Sequence, residues 1–295
     1  MAPRTIPQIE QALRRRVEFH AARGREYNPR VPRLLHPIRF EREYYKELRK
    51  SFTLLFEAMK TQLFPALPGL IASGRAALEP QRLQTADAFD DDLESILAGV
   101  LVVFGRRLSD DEIRRIAKTQ GISVSEFNKR QNNKVFRRLL NIDLFRDEPF
   151  LDEALENFAG ENVNLITTLS QRHITDVRGI VTRAVRQGLP VAEVERQLRA
   201  RIGKTDANLR LIARDQVSKL NGQLTRIRQE AVGIESYIWR TSLDERVRAS
   251  HRVKEGKEYR WDEPPADTGH PGEDFQCRCY AEPVLRDLID DSDQV

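Results

Sequence analysis

The apolar residues of this chain change their period once, at Gly233, and that switch limits what the chain can fold into. Upstream they recur at three and four residues, so Leu48, Phe52, Leu55, Phe56, Met59 and Leu63 line one helical face. Pro65 and Pro68 are expected to end that helix, because each lacks a backbone N–H. Ser109 followed by Glu112 reads as a capping box, and Gly121 with Ser123 and Ser125 as a break and a second cap. Leu151, Leu155, Phe158, Leu165, Ile166, Leu169, Val177, Val181 and Val185 continue the helical pattern to Gly188, with Pro190 just beyond. A short helix through Val194, Leu198 and Ile202 is expected to stop at Gly203, and a longer one from Leu209 to Ala231 at Gly233. Beyond Gly233, Tyr237, Trp239 and Thr241 point one way and Ile238 and Arg240 the other, as in a half-buried strand. Glu258 to Trp261 and Cys277 to Pro283 supply two further strands. Between the first two strands, Ser242 caps a short helix that puts Asp244, Arg248 and His251 on one polar face. The fold expected is mainly α with a small C-terminal α+β module, long helices followed by a short antiparallel sheet.

Both cysteines and two of the five histidines fall in that last module. Cys277 and Cys279, one residue apart in a strand, send both sulfurs to one side, with His270 arriving from the preceding loop and His251 from the short helix. Three readings stand for this group. In the first, His251, His270, Cys277 and Cys279 hold a structural zinc ion, because two thiolates and two imidazoles are what a closed tetrahedral site requires. In the second, the thiols are reduced core residues, Asp244 holds His251, and Arg246 or Arg248 pairs with a carboxylate. In the third, a metal-dependent nuclease uses His251 to activate water. A Cys277–Cys279 disulfide is disfavoured by ring strain and by a reducing compartment.

Charge is distributed unevenly. The net charge of +4 is small, but Arg14, Arg15 and Arg16 open a run of arginines through Arg42, while Asp287, Asp290, Asp291 and Asp293 mark the end of the chain. Pro29, Pro32 and Pro37 make residues 24–38 an extended connector. Lys129, Arg130, Lys134, Arg137 and Arg138 form a basic helical face opposite Val135, Phe136, Leu139 and Leu140. Such faces suit an acidic partner or non-specific double-stranded DNA, with affinity that falls as salt rises. The apolar run from Ile96 to Phe104 is too short for a bilayer, which needs about 20 residues, so no membrane partner is expected. The amino terminus lacks the apolar core of a secretory signal. No Walker loop, nucleophile elbow or paired-His helix is present.

An ordered series of short motifs carries a family resemblance: Ala213-Arg-Asp-Gln216, Tyr237-Ile-Trp-Arg-Thr241, Asp244-Glu-Arg246 with His251, Pro264-Pro265, and His270-Pro-Gly-Glu-Asp leading to Cys277-Arg-Cys279. From about Phe150 to Leu285 the chain resembles the phage Mu protein F-like minor head proteins, also called phage head morphogenesis proteins. Many of these have the histidine closer to the Cys-Arg-Cys. The resemblance implies a structural role for Asp244, Arg246, Pro264 and Pro265, and no enzymatic activity. It implies a minor capsid protein of a tailed bacteriophage, in the head interior near the portal of the virion, and in the host cytoplasm during assembly. The phage portal protein and other virion head proteins are the implied partners, and head assembly or handling of packaged DNA the implied task. The alternative from another class is a metal-dependent nuclease or toxin-like enzyme acting on DNA. The expected organisation is a basic arm over 1–40, a helical module over 41–149, the helical part of the Mu F-like domain over 150–232, its small α+β part over 233–285, and an acidic tail over 286–295.

Overall fold

A computed structural model describes residues 6–27, 29–78, 84–145 and 148–285; the acidic tail over 286–295 lies outside the described residues. The helices are α1 (Ile6–Ala21), α2 (Ile38–Ala58), α3 (Phe64–Ala77), α4 (Gln84–Arg107), α5 (Asp110–Leu140), α6 (Asp152–Gln187), α7 (Val191–Glu230) and the short α8 (Ala249–Arg252). The strands are β1 (Ser236–Arg240), β2 (Glu258–Arg260) and β3 (Tyr280–Pro283), in the order β2-β1-β3 and antiparallel throughout. The expected class, mainly α with a small C-terminal antiparallel sheet, is what the chain adopts. No helix among the described residues is long and apolar enough to cross a membrane.

Several boundaries differ from the sequence expectation, each for a physical reason. Pro65 and Pro68 do not end the helical path. A π turn over Met59–Leu63 follows α2 directly, the Phe64 N–H donates five residues back to the Met59 carbonyl, and α3 starts there with both prolines inside it. The wider turn is a setting in which missing proline donors are tolerated. Gly121 is no break, because α5 runs straight through it. A Cβ at Gly121 would lie 3.3 Å from both Leu155 and Phe158, so the glycine allows close packing. Gly203 likewise lies inside α7, a single helix where two were expected. Gly188 and Gly233 do terminate helices, with φ of +66° and +81°. Ser109 caps α5 as expected, its Oγ accepting the Glu112 N–H at 3.3 Å.

The chain divides into two compact units. One comprises residues 42–117 and 159–213. Its core takes Leu48, Phe52, Leu55, Met59 and Leu63 from the first helical stripe, and Phe52 meets Phe104 edge-on at 5.5 Å. Two buried polar bonds cross this interior: Tyr44 Oη donates to Asn162 Oδ1 at 2.7 Å, and His173 Nδ1 meets Thr205 Oγ1 at 2.7 Å.

The other unit gathers residues 1–41, 118–158 and 214–295. Within the arm expected over 1–40, the described part packs: Ile9 and Leu13 of α1 and Leu34 of the connector are buried with Val135, Phe136, Leu139, Val232 and Ile234. The connector is extended as its prolines dictate, but it lies on this same unit. Tyr27 Oη donates to the Leu139 carbonyl, and Arg33 donates to the Ser242 carbonyl at 2.8 Å. Arg228 of α7 is fully buried and holds Glu148 in a two-pronged pair at 2.6 and 2.9 Å. Its remaining donors reach Asn128 Oδ1 and Ser125 Oγ of α5. The sheet packs Tyr237, Trp239, Trp261 and Ala281 into a second cluster, and Gln229 Nε2 ties α7 to the Ala281 carbonyl at 3.0 Å.

Candidate metal centre

The loop between β2 and β3 is pressed onto α7 by two glycines. A Cβ on Gly222 would sit 2.5 Å from the Pro271 carbonyl oxygen, and Gly272 opposite adopts φ +99°. No side chain fits between these backbones, and L residues other than glycine rarely take that φ. Further along, the Gln276 N–H donates to Asp215 Oδ1 of α7 at 2.7 Å. These two attachments fix the segment that carries Cys277.

The thiols converge, although not as a strand. Strand β3 begins only at Tyr280, so Cys277 and Cys279 precede it in a turn that lets Cys277 Sγ accept the N–H groups of Gly272 and Cys279, each at 3.4 Å. His251, from α8, points Nδ1 at Cys279 Sγ (3.4 Å) and Cys277 Sγ (3.5 Å). The three donor atoms lie within 4.8 Å of one another. A zinc ion with bonds of about 2.3 Å to sulfur and about 2.0 Å to nitrogen at a tetrahedral angle spaces S and N by about 3.5 Å. The two observed S–N spacings fit that edge, so the donor set suits a soft divalent cation.

His251 is oriented from behind. Its Nε2 bonds Asp274 Oδ2 at 2.9 Å, which leaves Nδ1 facing the sulfurs, and Arg248 also pairs with Asp274. A carboxylate on the far nitrogen of a ligating imidazole is the usual outer partner in zinc sites. Sequence reasoning missed Asp274 and assigned this role to Asp244. That residue instead pairs with Arg278 at 2.7 Å and accepts the Arg246 N–H at 3.0 Å, because residues 241–248 form turns and α8 starts only at Ala249. His270 is not part of the group. It stays in the loop, its Nδ1 bonded to Tyr237 Oη at 2.9 Å and its ring against Trp261 at 4.9 Å. Pro265 shapes the same loop, its carbonyl accepting the N–H groups of Thr268 and Gly269, with Pro264 just before it.

Protonation follows from these contacts. The hydrogen bond from the Cys279 thiol, helped by His251 and the two backbone N–H groups, pulls the Cys277 thiol down to about 5 against the opposing effect of burial. The same bond, with burial, pushes Cys279 up. The Cys277 sulfur, with Asp274 adding, raises His251. The first shift favours the thiolate of Cys277, the form a metal ligand needs, while the second favours the thiol of Cys279.

Of the basic residues singled out in the sequence, Arg14 and Arg15 are exposed on α1 and Arg16 is half-buried. Lys129 pairs with Glu148 at 3.4 Å and Arg137 with Asp143 at 2.7 Å. Arg130, Lys134, Arg137 and Arg138 are all exposed and line one pocket of about 740 Å³ with Pro32 of the connector.

The His–Cys–Cys group thus lies just before the edge strand of a three-stranded antiparallel sheet. Residues 175–282 match the family described as Phage Mu protein F like protein, which bears out the resemblance carried by the motif series. A protein of Haemophilus influenzae, described as an uncharacterized protein, is 41% identical over 140 residues, 48% of this chain and 31% of the relative. The matched stretch thus spans under a third of that relative's length. No solved structure matches.

Proposed function

We propose that the protein is a minor head protein of a tailed bacteriophage that works in head morphogenesis by binding rather than by catalysis. The match of residues 175–282 to the Mu F-like family carries this reading. Its place is the head interior at the portal vertex, where its partners are the portal protein, other head proteins and packaged DNA. The DNA contact is assigned to the pocket of Arg130, Lys134, Arg137 and Arg138, four exposed cations on one surface. Structural zinc at His251, Cys277 and Cys279 secures the sheet, which is too small to bury much apolar area by itself. Asp244, Arg246, Pro264 and Pro265 shape the loops around it. The test is assembly: the chain co-expressed with its head genes co-sediments with procapsids and resists added protease there. A chain that remains in the soluble fraction overturns the proposal. Purified protein leaves plasmid DNA intact with divalent metals, whereas cleavage lost on replacing His251 supports the nuclease alternative instead.

A further inference from the structure

We propose that the metal at His251, Cys277 and Cys279 keeps its fourth coordination position open to an arginine-lined pocket, and that this pocket takes a phosphoryl oxyanion. The inference rests on the metal reading above and adds a ligand to it. A tetrahedral cation needs four donors, and among the described residues only three His, Cys, Asp or Glu donors come together here. His270 lies outside this group, with its Nδ1 on Tyr237 Oη, and Asp274 is bonded to the far nitrogen of His251.

All three donors line one pocket of about 250 Å³, together with Arg214, Arg246, Arg248 and Arg278. The pocket lining contains no carboxylate. Charge then selects the ligand. A divalent cation with two thiolates and a neutral imidazole carries no net charge. Arg248 is offset by Asp274 and Arg278 by Asp244. Arg214 and Arg246 have no ion-pair partner among the described residues, so two positive charges remain uncompensated at the pocket. Two guanidinium forks beside an open metal position present N–H donors and a Lewis acid to one group. That combination suits a tetrahedral oxyanion with several acceptor oxygens, and the volume admits a phosphate with an attached sugar. A neutral or cationic ligand would leave both positive charges without a partner.

The full chain loaded with Co²⁺ in chloride-free buffer reads the fourth position through its visible absorption bands. Inorganic phosphate is titrated first, then short oligonucleotides with and without a 5′-phosphate. We expect a saturable shift of the bands, with half-saturation at least about tenfold higher in Arg214→Gln and Arg246→Gln, each still binding one equivalent of Co²⁺. A shift with phosphate alone supports a free oxyanion, and a shift only with the 5′-phosphorylated strand supports a nucleic-acid end. Thiolate–cobalt bands that no phosphoryl probe alters overturn this inference and leave the metal reading standing. Absence of those bands overturns both. Arginine variants that titrate like the parent protein also overturn it, since their intact metal content excludes misfolding.

Discussion

Replacing Arg228 by Met tests whether the buried pair with Glu148 holds together the unit that carries the sheet. The guanidinium is fully buried and makes four hydrogen bonds, two to Glu148 and one each to Asn128 and Ser125. Met keeps the apolar stem and deletes the donors, so Glu148, only 8% exposed, retains Lys129 at 3.4 Å as its remaining cation. Removing one partner of a buried ion pair costs about 3–5 kcal/mol, and the surviving Lys129 contact places this case near about 3 kcal/mol. That is a large part of a typical domain stability of about 5–15 kcal/mol. The chain's two tryptophans, Trp239 and Trp261, are both buried in this unit, so their fluorescence during urea unfolding reports this unit and not the other. The double variant Arg228→Met with Glu148→Gln removes the stranded charge as well and recovers about half of the loss. A single variant within about 1 kcal/mol of the parent, or a double variant no more stable than the single, refutes the reasoning.

Three further outcomes are expected. Asp274→Asn weakens metal binding by about 10- to 100-fold, measured by competition with a chelating dye, because the imidazole loses its outer partner; unchanged affinity removes Asp274 from that role. Gly222→Ala forces the Pro271–Gly272 backbone off α7, so protease cleavage within residues 262–276 accelerates while helical circular dichroism stays the same; an unaltered cleavage rate contradicts the close approach. His173 is held at about 4 by burial, with the nearby Arg201 charge adding, so the unfolded chain takes up its proton first as pH falls. Its contribution is full above pH about 6.5 and is lost progressively down to about 4, amounting to about 3 kcal/mol, and His173→Leu flattens the pH dependence of urea unfolding followed by circular dichroism over that window.

The sequence revealed more of the helices than of the site. Period and caps located the start of α5, the end of α6, the end of α7, β1 and β2, because Ser109, Gly188 and Gly233 act locally on the backbone around them. Gly121, Gly203, Pro65 and Pro68 misled because a breaker costs only about 1 kcal/mol for glycine and about 3 kcal/mol for proline, amounts that packing or a π turn can offset. Those compensations come from residues distant in sequence. At the site, the conjunction of His251, Cys277 and Cys279 was legible from scarcity, since cysteines are few. The exclusion of His270 and the role of Asp274 depend on how a loop folds against α7, which no local pattern encodes.

The unit with the sheet is stitched from three stretches, and its first piece shares a core with its last. Ile9 and Leu13 pack in the same cluster as Val232 and Ile234, whereas the other unit is complete once residue 213 has been made. At about 5–20 residues per second, α1 leaves the ribosome on the order of 10–40 s before the last members of its cluster, Val232 and Ile234, are made, the α5 members coming earlier. The residues of the other unit are thus all made before the cluster that holds α1 is complete. A product cut short near residue 213 would keep the residues of one unit and leave the α1–α5 cluster without Val232 and Ile234, a target for chaperones and proteases.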